Sequence, residues 1–371
     1  MFVSFLISVY NSDSAQIPLL ISCVLTTLIG IFPMIFVPPT AQISHKEGYV
    51  IVVASWILVC FFGMLPYAFW GGEFTMVNSW FESVAGFTTT GSTILNDIEA
   101  LPNGLLFWRS STHWLGGIGI VLFVLVIVPA LGKARMSLSR LEMSPLAKTN
   151  FHYKTNKTLR IVILVYFGLT IAETILLYAF GMSLFDAVTH TFGTVATGGF
   201  STKNASIGHY NSVAIEIVII IFMFLAGMHF GVLYTIFTFK KVKWYKSSIV
   251  RIYTILIVLG IIFVTFNTWG KNYETFPEAL RYAAFQVVSI STTTGYGTTD
   301  TTLWPPFSIM ILIYFTFQCA CAGSTAGGIK VDRLVIFFQS LKRQVVKLQH
   351  PQAVIPVRID GNPVDDETVD S

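Results

Sequence analysis

Three short runs of threonine and glycine give this chain backbone that could bind an ion. They are Thr88-Thr89-Thr90-Gly91, Val195-Ala196-Thr197-Gly198 and Thr292-Thr293-Thr294-Gly295, with the glycines 107 and 97 residues apart. Carbonyl oxygens presented by such loops can replace the water around a potassium ion. Glycine lets successive carbonyls turn toward one axis. Threonine adds a hydroxyl that either holds the loop or serves as a ligand, so no carboxylate is required. The candidate ion-binding residues are therefore Thr89, Thr90, Gly91, Ala196, Thr197, Gly198, Thr293, Thr294 and Gly295. The third copy continues as Gly295-Tyr296-Gly297, the Gly-Tyr-Gly of potassium-channel filters.

Each run closes a short apolar stretch, at residues 77–87, 184–195 and 279–290. Stretches of this length re-enter a bilayer rather than cross it. Longer apolar runs flank them, at 17–37, 49–70, 105–131, 159–180, 213–239, 249–269 and 307–338. The pattern is outer helix, pore segment, inner helix, used three times. Irregular backbone at membrane depth must face protein or a watery cavity. A pore helix entering from outside also aims its partly negative carbonyl end at the membrane centre, which favours a cation there.

Composition sets the solvent. Hydrophobic residues make up 54% of the chain and charged residues 11%, with a mean hydropathy of +0.69. Soluble domains carry about 25% charged residues. Lys and Arg number seven in 133–160, five in 240–251 and six in 330–358, and the intervening loops are poor in them. This bias places the basic loops in the cytoplasm and the three threonine–glycine loops outside. The net charge of +4 follows from it, and no nucleic-acid-binding patch stands out.

Enzyme chemistry finds no support. No H-E-x-x-H or G-x-S-x-G motif and no pair of intramembrane carboxylates is present. Cys319-Ala320-Cys321 has the wrong spacing for a C-x-x-C site, and Ile329 spoils the phosphate-loop pattern after Gly328. Glu173, inside an apolar span, is either functional or paired with a buried Arg or His. Arg109 and Glu216, near helix ends, are expected to reach the interface. His113 and His229 are expected to pack. The run Gly323, Ser324, Thr325, Ala326, Gly327 and Gly328 breaks the third inner helix, and it is the candidate gate.

Several stretches together resemble a known family. They are Phe81-Glu82-Ser83-Val84-Ala85-Gly86-Phe87-Thr88-Thr89-Thr90-Gly91-Ser92-Thr93, Phe107-Trp108-Arg109, Trp114-Leu115-Gly116-Gly117-Ile118-Gly119, Phe185-Asp186-Ala187-Val188, Ala196-Thr197-Gly198-Gly199-Phe200-Ser201-Thr202, Phe285-Gln286-Val287-Val288-Ser289 and Cys321-Ala322-Gly323-Ser324-Thr325-Ala326-Gly327-Gly328-Ile329-Lys330. Over nearly its whole length the chain resembles the potassium-translocating membrane subunits of the Trk/Ktr/HKT superfamily, of the TrkH type.

The resemblance implies an all-α polytopic membrane protein of four pore repeats around one ion pore. Filter glycines would be Gly91, Gly198 and Gly295. A serine at the first of these positions is linked to sodium in relatives, so Gly91 implies potassium. Potassium is then the transported ion, and no organic cofactor is expected in this chain. The implied partners are a second copy of the chain and a cytoplasmic nucleotide-binding regulatory subunit of the TrkA/KtrA type, within a cell inner membrane. The intramembrane gate loop would obstruct the pore below the filter.

Organised this way, residues 1–47 form an incomplete N-terminal transmembrane segment and 48–132 the first repeat. A cytoplasmic loop and the second repeat occupy 133–239, the third repeat 240–341, and a polar cytoplasmic tail 342–371. A fourth filter is expected near position 395, beyond Ser371. The expected function is potassium uptake through a backbone-carbonyl filter. The alternative is a non-conducting fragment that needs a separate fourth repeat.

Overall fold

The computed structural model describes residues 1–38, 45–130, 155–237, 247–350, 356–359 and 362–363. The basic loop beyond residue 130 and most of the one beyond 237 lie outside the described residues, as does most of the tail. Helices dominate. After α1 (Phe2–Tyr10) and α2 (Gln16–Phe36), the first repeat comprises α3 (His45–Trp70), α4 (Met76–Phe87) and α5 (Asn103–Ala130). The second comprises α6 (Thr155–Ala179), α7 (Leu184–Val195), α8 (Val213–Ala226) and α9 (Phe230–Phe237). The third comprises α10 (Ser248–Thr268), α11 (Phe276–Ser291), α12 (Pro306–Phe317) and α13 (Val331–Gln349).

These helices turn apolar faces outward as well as inward. Leu28, Ile35, Val53, Ile171 and Phe266 are all more than half exposed. Apolar surface exposed along whole helices in this way marks a lipid-facing side. Helices 16–36, 50–70, 160–179 and 248–268 are each long and apolar enough to cross a bilayer, so the chain is a polytopic membrane protein.

Polar residues gather instead around the pore helices. Ser79, Glu82, Ser83, Thr189, His190, Thr191, Thr194, Gln286 and Ser289 are buried. Each pore helix lies between its own outer and inner helices: α4 against α3 and α5, α7 against α6 and α8, and α11 against α10 and α12.

Two inner helices are broken. The expected continuous span 213–239 ends at Ala226, and α9 sets off at 114° to α8. The backbone freed at this break finds partners in the third repeat. Gly227 O accepts from Cys321 N at 3.0 Å, and Phe230 N donates to Gly323 O at 3.1 Å. Sequence periodicity carried no sign of this, because the run stays apolar on both sides of Gly227-Met228-His229. The third inner helix breaks where the glycine-rich run predicts. There β1 (Gln318–Cys319) and β2 (Ile329–Lys330) pair in parallel. The chain thus leaves the span, makes an excursion through 320–328 and returns at the same level.

Arg109 and Glu216 do not reach the interface as expected. Arg109 is 2% exposed and pairs with Glu82 at 2.6 Å, and Glu216 is 2% exposed and pairs with Arg281 at 2.6 Å. Each ion pair ties a pore helix to an inner helix. A charge at a helix end therefore found a re-entrant neighbour that the sequence pattern does not position.

Candidate ion-binding site

All three pore helices start alike. Thr75, Ser183 and Thr275 stand at their N-caps, and each hydroxyl accepts the backbone N–H three residues on. They also end alike. Thr90 N donates to Ala85 O at 2.9 Å, Gly198 N to Gly193 O at 2.8 Å, and Thr294 N to Ser289 O at 2.9 Å. Inside each of these bonds lies a second, from Thr89 N to Gly86 O, Thr197 N to Thr194 O and Thr293 N to Ile290 O. This is the Schellman closure of a helix, in which the residue after the cap is left-handed.

That left-handed residue is threonine in every copy. Thr89, Thr197 and Thr293 have φ of 54°, 54° and 58°. A β-branched residue there is a backbone outlier, and strain of about 1–3 kcal/mol each is held by the surroundings. The glycine two residues later is also left-handed: Gly91, Gly199 and Gly295, with φ of 75°, 79° and 83°. The backbone therefore pairs Gly91 with Gly199 and Gly295, and Gly198 with Thr90 and Thr294. The expected match of Gly198 to Gly91 and Gly295 is one residue out of register. Counting to the first glycine misleads because Gly198-Gly199 is a doublet.

The loops converge. A Cβ on Gly91 would overlap the carbonyl oxygen of Gly198, and a Cβ on Gly199 would overlap that of Thr294. The equivalent carbonyl of each next loop thus rests on the glycine of the one before, with a constant sense from first to second to third. Beyond Gly295 no described heavy atom lies within 4 Å of a built Cβ.

Buried polar side chains strap the loops from behind. Glu82, His190 and Gln286 each lie five residues before the last residue of their pore helix. Each reaches the outgoing limb of its own loop. Glu82 accepts from Thr93 Oγ1 at 2.9 Å and Ile94 N at 3.2 Å. His190 Nε2 lies 2.9 Å from Ser201 Oγ, and Gln286 Nε2 donates to Thr299 O at 3.4 Å. Other bonds cross between repeats. Arg109 Nη1 donates to Ser201 O at 2.9 Å. Tyr296 OH lies 2.9 Å from His190 O and 3.2 Å from Phe200 O. Outside, Ile98 N donates to Asn204 Oδ1 at 2.7 Å and Gly208 N to Gly297 O at 3.1 Å.

The candidate gate, residues 323–328, touches the inner ends of these elements. Thr325 Oγ1 donates to Val195 O, the last carbonyl of α7, at 3.0 Å. Gly327 N donates to Thr293 Oγ1, in the third loop, at 2.9 Å. Ser324 Oγ turns back to Cys321 O, and Lys330 Nζ to Ala326 O. Gly323, with φ of 75°, packs against the ring of His229 at the α8–α9 break.

The family model described as TrkH, cation transport protein, matches residues 28–371. The chain belongs to the TrkH family of cation transport proteins. It is 35% identical over 325 residues to the Trk system potassium uptake protein TrkH of Salmonella typhimurium, covering 86% of this chain and 67% of that protein. It is 32% identical over 335 residues to TrkG of Escherichia coli, covering 89% of this chain and 69% of the relative. The crystal structure of the potassium transporter TrkH from Vibrio parahaemolyticus matches all of this chain and 77% of that one, with a TM-score of 0.87 at 30% identity. The TrkH family is one of transporters, not enzymes.

In this TrkH-family chain the structure brings all nine candidate ion-binding residues together and seats the candidate gate against them. Sequence reasoning missed Gly199, Glu82, Arg109, His113, Phe200 and the hydroxyl of Tyr296. Aligning the runs on the helix ends at Phe87, Val195 and Ser291, rather than on the first glycine, exposes both Gly199 and the shared polar position. Glu173 is fully buried in α6 beside Thr194 and Tyr296. Neither of its oxygens has a hydrogen-bond partner among the described residues, so of the two alternatives left open for it, pairing with a buried Arg or His is not the one found among them.

Proposed function

We propose that this chain takes up potassium across the cell inner membrane through a filter of main-chain oxygens, built by the loops at 89–91, 197–199 and 293–295. One observation carries the reading: three identically closed re-entrant helices end in loops whose backbones touch in succession, first to second and second to third. Thr89, Thr90, Gly91, Ala196, Thr197, Gly198, Thr293, Thr294 and Gly295 supply the oxygens, with Gly199 as the true counterpart of Gly91 and Gly295. Potassium is cargo, and the names of the Trk relatives support that choice. The word system in those names fits assembly with a regulatory subunit and a second copy of the chain.

The test is growth at limiting potassium of a host without its own uptake systems, with and without the chain. Rescue that sodium does not replace supports the reading. A chain that reaches the membrane but carries neither ion, even beside a regulatory subunit and a separately supplied fourth pore repeat, overturns it. The open flank at Gly295 favours a second reading, in which the ring needs a further pore segment seated against the third loop. Rescue that depends on that fourth repeat identifies this case.

The excursion at 323–328 acts as the gate in this reading. Its support is the pair of hydrogen bonds from Thr325 to the last carbonyl of α7 and from Gly327 to Thr293 in the third loop. Deleting residues 324–326 is expected to raise ion flux severalfold, and Thr325→Val to raise it less. Flux measured in proteoliposomes that is unchanged by the deletion removes the gate assignment while leaving the filter standing.

A further inference from the structure

We propose that Arg109 and His113, one turn apart on α5, are positioning residues that set the ion-selecting geometry of the second loop by clamping Phe200. The inference rests on the filter reading above and adds a specificity device to it.

The second loop cannot hold itself as its neighbours do. In the first loop the hydroxyls of Thr88 and Thr90 lie 2.8 Å apart, and in the third those of Thr292 and Thr294 also lie 2.8 Å apart. Each pair crosses the turn on either side of the left-handed threonine. The first hydroxyl is anchored in turn to its pore helix, on Val84 O and Val288 O. The second loop has Ala196 and Gly198 at these places. A methyl and a hydrogen make no such tie, and the Gly198-Gly199 doublet is the most permissive backbone of the three.

The first repeat fills the gap. A Cβ on Gly198 would run into the imidazole of His113, so that ring stands where the missing threonine side chain would begin. His113 Nδ1 accepts from Phe200 N at 3.3 Å. Its ring stacks on Phe200 with centroids 3.9 Å apart and planes at 15°. The guanidinium carbon of Arg109 lies 3.5 Å from the same phenyl centroid. Two groups so close to one ring cannot share a face, so Phe200 is held between them. Arg109 also holds Ser201 O, and Glu82 fixes Arg109 in turn. From the other side Tyr296 OH of the third repeat approaches Phe200 O. The amide, ring and carbonyl of one residue are thus all fixed by neighbouring repeats. Phe200, His113 and Arg109 are each 2% exposed or less.

The experiment is thermal unfolding of the full-length chain in detergent across a series of potassium and sodium concentrations, which reads the preference between the two ions. His113→Ala and Arg109→Lys are expected to cut the potassium preference about fivefold or more, the size of one lost hydrogen bond. His113→Asn keeps an acceptor at the Nδ1 position and is expected to retain most of it. Gly198→Ser alone is expected to lose the preference through its clash with His113. The triple variant His113→Ala, Ala196→Thr, Gly198→Thr builds the internal hydroxyl pair of the other loops, and it is expected to regain the preference. A role in stability alone would move the melting temperature without moving the ion ratio.

If His113→Ala and Arg109→Lys fold and keep the parental ratio while Gly199→Ala loses it, the clamp is wrong and the filter stands. If His113→Ala does not fold, the decision passes to His113→Asn against Arg109→Lys, and equal parental ratios in both overturn the clamp. A parent chain stabilised equally by the two ions overturns the filter reading, and the clamp with it.

Discussion

Gly199→Ala and Gly91→Ala are each expected to abolish potassium uptake, whereas Gly295→Ala is expected to keep a measurable part of it. All three positions are left-handed, so alanine costs about 1–2 kcal/mol of backbone strain at each. The difference lies in what the new methyl meets. At Gly91 and Gly199 it overlaps a carbonyl of the next loop, Gly198 O or Thr294 O. Main chain cannot swing aside as a flexible side chain does, so that carbonyl must move, and it is itself a proposed ion ligand. Displacing a positioning group by about 1 Å can cost 10²-fold. At Gly295 the same methyl enters open space among the described residues, which leaves only the strain. Initial uptake rates of the three variants at equal expression check the order. Equal loss at all three would show that conformation alone governs these sites, and a Gly199→Ala variant that transports normally would return the register to Gly198. Where a further pore segment covers Gly295, its variant joins the other two, which makes it a probe of how the ring is completed.

Much of the architecture is legible in the sequence. Apolar runs of two lengths separated spanning from re-entrant helices, and the period of about 100 residues exposed the repeat. The helix-breaking glycines at 323–328 marked the interruption of the third inner helix, which the structure shows as two strands around an excursion. Three things were hidden, each for a physical reason. Register was hidden because the left-handed turn residue is threonine, which sequence rules assign to other backbone regions, so the first glycine after it drew the alignment. The α8–α9 break was hidden because its partners, Cys321 N and Gly323 O, come from another repeat. The ion pairs were hidden because Arg109 and Glu216 look like helix-end charges until re-entrant helices are placed beside them.

The three loops share a fold but not a support. The first and third are tied by their own threonines, and the second is tied by its neighbours. Tandem repeats in one chain permit this, since each loop can drift from the others while the ring persists. A substitution of His113 is therefore expected to reach the second loop more than the first, although α5 belongs to the first repeat.

Glu82→Gln is expected to destabilise the protein by about 3–5 kcal/mol, the usual cost of breaking a buried ion pair. Glu82 is fully buried and Arg109 is 2% exposed. The amide still accepts one bond from Thr93 or Ile94, so the loss comes mainly from a guanidinium left without its counter-charge in a low-dielectric interior. Arg109→Met strands the carboxylate in the same way and costs a similar amount. The double variant Glu82→Gln, Arg109→Met removes both charges and is expected to be less destabilised than the sum of the singles, with a coupling of about 2–3 kcal/mol. Denaturant unfolding in detergent measures all four corners of the cycle. Function should not follow stability here. The double variant regains stability, yet it still lacks the donor to Ser201 O and the cation over Phe200, so its potassium preference stays low. Additive stabilities would reduce the pair to two independent contacts. A double variant with full ion preference would show that Arg109 matters only as the partner of Glu82.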